Sequence, residues 1–403
     1  MVIPSPEYRS LRLAIVTNGI SHFEVPLFRL CAKRDDLQVR VFYHLPVKQG
    51  IMDADYGQKI DWGGDMLAGY ESHRSINFAG TRMAVAEWGA DVTLVYGYSW
   101  SGFPRFILSN WMKRRPQIHR GTLNYYYDPR HLYRSILLRP LGRLLLSLFD
   151  AHHYGGAYSR RVLQQSGVST AAQFFVPYSV DTPFFDREAG SSEARATAAE
   201  MRRKLGWGES DLVLLFIAQH NWFKGPDIAM DCFRMLSARH PRMRFIVVGS
   251  GSMTEEMKVS ARKYLKPECV HFAGFVPSLD TPAYYLASDL VLCSSRYETW
   301  ARMLNEAMLC RCPAVISEIV PAAGDLVIHD QTGYVVKRPD PELLMTAVEQ
   351  HFSKPESSRM AMRDAAHARA MEFAYESWMD NVVAAAHYAI SLQKRKQPTR
   401  GRL

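Results

Sequence analysis

Tyr297-Glu298-Thr299-Trp300-Ala301-Arg302-Met303-Leu304-Asn305-Glu306-Ala307-Met308, preceded by the apolar run Asp289-Leu290-Val291-Leu292-Cys293, decides how this chain folds. The apolar run has the length and composition of a buried strand, and residues 304–308 favour helix. Glu298 therefore falls in the turn and Glu306 inside the helix. Two carboxylates eight positions apart on a strand–turn–helix unit can each take a pair of hydroxyl groups. The backbone N–H groups between them have no helical partner and face an anion. Such a unit suits an elongated ligand with hydroxyls at both ends and negative charge in the middle. The spacing alone equally describes two surface glutamates, since Glu is a good helix former, so the surrounding sequence has to decide.

Outward from that unit, short apolar runs alternate with helical ones. Residues 212–218, 244–249, 270–275, 289–293, 314–317 and 333–336 read as strands, each followed by a turn or helix. An earlier series covers 11–17, 37–43, 91–97, 123–127, 151–155 and 174–177. This is the β-α-β rhythm of a doubly wound parallel sheet, met twice. The rhythm breaks at Pro177 and Pro183, ahead of a charged, Ala-rich segment (residues 188–204). The expected organisation is an α/β protein with an N-terminal domain over residues 1–180 and a second over 181–375. A helix over 376–390 and a disordered basic tail over 391–403 complete it.

Length and composition agree with a folded two-domain chain: 403 residues, 47% of them hydrophobic, exceed one ordinary core. No apolar run reaches the roughly 18 residues of a spanning helix, and the charged opening leads directly into a strand. A cytoplasmic location is expected. Six cysteines are too sparse for a disulfide framework, and the Cys310-x-Cys312 pair has no neighbouring histidine to make a metal site. The net charge of +9 is uneven: residues 1–180 hold 21 Lys/Arg against 13 Asp/Glu, and residues 391–403 add five basic residues. The basic half should meet an acidic partner or surface. Nothing resembles an RNA-binding signature, a zinc finger or a helix-turn-helix, so nucleic acid is not an expected partner.

Three loops carry further chemistry. In Gln219-His220-Asn221-Trp222-Phe223-Lys224-Gly225-Pro226-Asp227, Lys224 stands beside the start of a helix, and both favour a phosphate. A surface lysine ahead of a helix reads the same way. The turn Gly249-Ser250-Gly251 can bring backbone amides near a nucleotide, although many α/β turns are built so. Gly19, after the first strand, lets backbone approach a sugar or phosphate, or simply makes a tight turn. Arg130, Arg134, Arg139 and Arg143 alternate with leucines over residues 130–149. That segment fits an anionic membrane interface and equally a core-facing helix with a solvated arginine face, with Pro140 expected to break it.

With these residues in view, the chain resembles the retaining family-4 glycosyltransferases of the GT-B fold over nearly its whole length. The resemblance rests on Asn18-Gly19 with Pro26-Leu27-Phe28; Val176-Pro177-Tyr178-Ser179-Val180-Asp181; Lys224-Gly225; Val248-Gly249-Ser250-Gly251; Phe272-Ala273-Gly274-Phe275-Val276; and the paired glutamates. Residues 288–336, ending Gly333-Tyr334-Val335, are the most specific part. Within the family the chain looks most like enzymes of exopolysaccharide and lipopolysaccharide assembly.

The resemblance implies two Rossmann-like domains facing a cleft, the first for the acceptor and the second for the nucleotide sugar, with the C-terminal helix crossing back to the first. It implies a metal-independent hexosyltransferase whose donor is a nucleotide diphosphate sugar of UDP or GDP type and whose acceptor is a glycan or lipid-linked glycan. It casts Glu298 and Lys224 as catalytic, with Glu298 on the sugar hydroxyls and Lys224 on the diphosphate. Glu306 takes the ribose; Thr299, Trp300, Ala301 and Arg302 offer amides; and Gln219, Gly19, Gly249 and Gly251 complete the donor site. His22, Asp128 and Arg130 are the residues expected at the acceptor, though a lone histidine after a turn is more often structural. No metal or other cofactor is expected, and an anionic membrane surface is an expected contact. Two positions depart from the family pattern. Gln219 or Ala218 stands where an arginine is usual, leaving a phosphate charge to Arg302 or Arg296, and Ala301 stands where glycine is usual. Those departures motivate a rival reading, a catalytically silent binding or membrane-scaffold subunit of the same fold.

Overall fold

A computed structural model of the chain describes residues 10–21, 23–44, 52–53, 58–59, 65–75, 77–96, 103–121 and 132–396. They fall into two compact units. The first includes residues up to Lys48, Asp65–Pro177 and the chain from Tyr375 onward; the second includes Tyr178–Ala374.

The first unit contains strands β1 (Leu11–Thr17), β2 (Leu37–Tyr43), β5 (Glu71–Arg74), β6 (Val92–Tyr96), β7 (Gln117–Arg120), β8 (Ala151–Tyr154) and β9 (Gln173–Phe175). The short strands β3 (Met52–Asp53) and β4 (Gln58–Lys59), which are assigned to the second unit, pair antiparallel with each other. The seven strands pair in parallel in the order β5-β2-β1-β6-β7-β8-β9. Helices α1 (Val25–Ala32), α2 (Phe78–Glu87), α3 (Phe103–Met112), α4 (Leu132–Ser147) and α5 (Ala157–Gln165) supply the crossovers. Leu13, Ile15, Leu27, Phe28, Val41 and Leu94 are buried together in one core cluster, as continuous apolar strands of a two-sided parallel sheet require.

The 123–127 strand lies outside the described residues. Three features differ from the sequence reading: β7, which it did not include, is Gln117-Ile-His-Arg, wholly buried despite its polar composition. Gln117 Nε2 donates to Ile107 O at 3.1 Å and Leu148 O at 2.8 Å, so burial leaves the amide donors bonded. The segment through Pro140 is not broken, because α4 runs continuously through it. One missing N–H is a local defect, and Leu146 anchors the following turn against Val162 and Leu163. The last helix, α14 (Met379–Lys396), continues past residue 390. Ala385, Ala386 and Ala389 pack in the first unit's core, and Gln393 Nε2 donates to Asp150 Oδ1 at 2.6 Å.

The second unit opens with α6 (Thr182–Gly190) and α7 (Ser192–Lys204). It continues with β10 (Leu212–Ile217), α8 (Pro226–Arg239), β11 (Met243–Val248), α9 (Thr254–Tyr264), β12 (Val270–Gly274), α10 (Thr281–Leu286), β13 (Leu290–Leu292) and α11 (Met303–Leu309). It ends with β14 (Ala314–Ser317), β15 (Gly333–Val336), α12 (Pro341–Ser353) and α13 (Glu356–Met371). The parallel order is β12-β11-β10-β13-β14-β15. Strand order therefore reverses between β10 and β13, and the carboxyl ends of strands at such a reversal are where open α/β sheets bind ligands.

Candidate active site

The two loops at that reversal carry Lys224, after β10, and Glu298, after β13. Lys224 Nζ donates to Glu298 Oε1 at 2.5 Å, and Ser295 Oγ donates to the same oxygen at 3.1 Å. Glu298 is largely enclosed, whereas Lys224 keeps a side-chain exposure of 28%. Charge-assisted bonds of this kind are short and strong.

Local sequence explains why Lys224 stands there. Asn221 opens a single 3-10 turn over Trp222–Lys224; its Oδ1 accepts from Lys224 N at 3.2 Å, and its Nδ2 donates to Gln219 Oε1 at 2.8 Å. Gln219 thus braces the loop. Gly225 follows with φ +62°, and a Cβ there would lie 2.3 Å from Ser294 O, so only glycine lets the loops approach. Ser294 Oγ donates to Gly225 O at 2.8 Å. Arg296 clamps the same pair of loops, donating to both carboxylate oxygens of Asp227 at 2.8 and 2.5 Å and lying 5.1 Å from the Trp222 ring centroid. The Arg296 guanidinium is thereby committed to Asp227.

Between the carboxylates, Thr299 is exposed while Trp300 turns inward. Trp300 Nε1 donates to Asn305 Oδ1 at 2.9 Å, and Asn305 Nδ2 donates to Tyr178 O at 3.3 Å, so the indole anchors the turn. Ala301 has φ +68°, a left-handed conformation disfavoured by its Cβ. The Arg302 guanidinium lies 5.5 Å from the Tyr178 ring centroid. Glu306 is buried on α11, its Oε2 accepting from Tyr285 OH at 2.7 Å. Burial pushes its carboxyl up to about 7, against the opposing pull of the Tyr285 hydroxyl and of Arg302.

Gly249 and Gly251 also belong to this unit, with φ +120° and +157°. A Cβ on Gly249 would lie 1.9 Å from Ala218 O, and one on Gly251 2.5 Å from His220 O. Gly249 N donates to Gly274 O and Gly251 N to Thr254 Oγ1. Close packing of neighbouring turns accounts for both glycines, and these two N–H groups are committed within the fold. Gly19 follows β1 in the first unit, with no heavy atom within 4 Å of where a Cβ would stand. His22, Asp128 and Arg130 lie outside the described residues.

Sequence reading missed Tyr285 and the clamp between Arg296 and Asp227. Asn221, three residues before Lys224, had a signal: Asn is a preferred residue at the start of a helical turn. All six cysteines are buried and unbridged. Among the described residues, no group of three or more His, Cys, Asp or Glu side chains is arranged to hold a metal, and no helix is long and apolar enough to cross a membrane.

Residues 197–369, which include Lys224, Glu298 and Glu306, match the family described as Glycosyl transferases group 1. The chain carries a group 1 glycosyltransferase domain. It is 28% identical over 221 residues to the D-inositol 3-phosphate glycosyltransferase of Segniliparus rotundus, covering 53% of this chain and 46% of that protein. It is 23% identical over 235 residues to the alpha-monoglucosyldiacylglycerol synthase of Streptococcus pneumoniae, covering 56% and 52%. The matches thus span about half the length of these relatives. The crystal structure of Anabaena HepE in complex with UDP is similar with a TM-score of 0.70 at 17% identity, covering 96% of this chain and 100% of that one. The two parallel-sheet units are those of the GT-B fold, and the group 1 domain is the second of them.

Proposed function

We propose that this chain is a retaining glycosyltransferase that moves a hexosyl unit from a nucleotide diphosphate sugar to a glycan or lipid-linked glycan. The observation that carries the reading is the bond between Lys224 and Glu298 at the strand-order reversal, with Glu306 buried on the helix that follows. An ammonium has three N–H donors, so Lys224 can hold Glu298 with one and meet diphosphate oxygens with the others. The sugar hydroxyls then donate to Glu298 and the ribose hydroxyls to Glu306. As the glycosidic bond breaks, negative charge grows on the leaving phosphate, and Lys224, with Arg302 beyond it, offsets that charge without requiring a metal. Departure and attack on one face let the leaving phosphate oxygen take the acceptor's proton, so no protein base is required.

Titration of UDP and GDP, followed by incubation with UDP- and GDP-hexoses, tests the reading. Donor turnover that is lost in Lys224→Ala and indifferent to EDTA is the expected result. Nucleotide binding without any consumption of donor, with acceptor panels included, would instead favour a silent binding subunit. If chelation abolished turnover and a divalent metal restored it, the metal-free account would fail.

Contact with an anionic membrane belongs to the same proposal. On the described part of α4, Leu144 is 61% exposed beside the exposed Arg143, and basic residues near an anionic surface contribute about 1 kcal/mol each, within a Debye length. Sedimentation with vesicles should rise with anionic lipid and fall with salt. Equal sedimentation with neutral vesicles would remove the electrostatic account.

A further inference from the structure

On α7, α10, α13 and the end of α11, the second unit has a cavity of about 470 Å³ whose lining includes none of Lys224, Glu298 and Glu306. Four guanidinium groups line it, those of Arg195, Arg202, Arg311 and Arg363. Their compensation is incomplete. Arg311 pairs with Asp364, but Arg202 and Arg363 share the single carboxylate of Asp289, at 3.9 and 2.6 Å. Arg195 donates to the backbone oxygen of Ala189 at 3.1 Å and has no carboxylate partner among the described residues. Glu356, the other lining carboxylate, is engaged by Arg359. Arg202 also donates to Gly208 O at 3.1 Å and Asp211 O at 2.6 Å, carbonyl groups that leave its charge in place, and among the lining residues four arginines stand against two carboxylates, Glu356 and Asp364.

Arg311 adds an independent observation. It sits just past α11 with φ +57°, where its N–H donates to Met308 O and that of Cys312 to Ala307 O. Helices that end in this way usually place glycine there, because a Cβ is disfavoured in the left-handed region. Backbone strain of this kind is a reason to look for a function, and here it delivers a guanidinium to the cavity wall. Ala198, Leu286 and Met360 give the wall an apolar part. A volume of about 470 Å³ lies in the range of small-molecule sites and exceeds the needs of an inorganic anion.

We infer that this cavity is a second ligand site, taking a small organic phosphate monoester with its dianion toward Arg195, Arg202, Arg311 and Arg363 and its apolar part against Leu286 and Met360. Tyr285 also lines it, while its hydroxyl holds Glu306, so the site adjoins the donor machinery without sharing its phosphate-binding lysine. The inference does not rest on the donor reading.

Phenyl phosphate is the probe, titrated calorimetrically into the full chain. One saturable site is expected, unchanged by saturating UDP and unchanged in Lys224→Ala. Arg195→Gln should weaken it about tenfold or more, as expected for losing a charged hydrogen-bond donor, while leaving UDP affinity intact. Arg311→Gly should weaken it similarly, and since glycine suits the positive φ this variant keeps its fold. Competition with UDP, or equal binding in wild type, Arg195→Gln and Arg311→Gly, would overturn the site. Inorganic phosphate binding as tightly as phenyl phosphate would overturn the organic class. A chain that bound no UDP yet showed these variant effects would refute the donor reading alone.

Discussion

Glu298 and Glu306 belong to one short segment, and the fold treats their charges in opposite ways. Glu298 meets an ammonium and a hydroxyl, from Lys224 and Ser295. Glu306 is buried against the Tyr285 hydroxyl, with the Arg302 charge in its favour, and its carboxyl rises to about 7. A paired carboxylate is an ordinary structural device, whereas a buried one held above its usual range is a liability unless a ligand meets it. The difference bears on the two proposed roles, Glu298 with the cation at the reacting end and Glu306 for hydroxyl donors at the other end of the ligand.

The largest expected effect comes from breaking the compensated side. Lys224→Ala should lower turnover on the order of a hundredfold or more, as for other charge-stabilising donors. Lys224→Arg should recover part of it, since charge is kept and geometry is not. Steady-state rates with the preferred donor provide the check; a Lys224→Ala enzyme within a few-fold of wild type would remove the lysine from the chemistry.

The uncompensated side gives a smaller effect with a distinctive pH dependence. Because the folded carboxyl of Glu306 is raised above its ordinary 4.5 to about 7, folding favours its protonated form. That contribution is full below about 4.5 and is lost as pH rises through about 7. Glu306→Gln keeps an oxygen for the Tyr285 hydroxyl and removes the charge. Its stability advantage over wild type should be near zero at low pH and grow toward alkaline pH, to at most about 3 kcal/mol. Burial also lowers His119, to about 3, and His220, to about 4. Those groups lose stability as pH falls below their ordinary 6.5, but they are common to both proteins and cancel in the difference. The same variant should bind UDP about tenfold more weakly, a ribose carboxylate having been lost. Denaturation at several pH values and nucleotide titration read the two halves separately; parallel stability curves would remove the buried-charge account.

Most of the fold was legible because most of its strands are apolar runs. The exceptions are physical. β5, Glu71-Ser-His-Arg, is a mostly exposed edge strand, so burial gives it no pattern. β7 is buried yet polar because Gln117 and Arg120 donate to distant carbonyl groups, Arg120 to Val176 O at 2.9 Å. Spacing and loop position singled out Glu298, Glu306 and Lys224 as candidates, and the family resemblance implied their roles. Neither brought out their partners. Lys224 meets Glu298 only because β10 and β13 are neighbours in the sheet, and Tyr285 reaches Glu306 from a different helix. Such contacts depend on strand order, which no local window of sequence contains.

The smallest effect tests the turn between the two carboxylates. Ala301 holds φ +68°, where a Cβ is disfavoured by roughly 1–2 kcal/mol. Replacing it with glycine relieves that strain but gives the unfolded chain more freedom, a loss of about 0.4–1 kcal/mol. Ala301→Gly should therefore stabilise the protein by less than about 1 kcal/mol, visible as a small upward shift in denaturation midpoint at unchanged slope. The lost methyl also widens the space between Thr299 and Arg302, where the sugar is proposed to lie. Donor selectivity should then broaden toward bulkier hexoses, read as a change in the ratio of kcat/KM values between donors. A stabilised variant with unchanged selectivity would place the methyl away from the sugar, and a destabilised one would show that Ala301 makes packing contacts that outweigh its backbone strain.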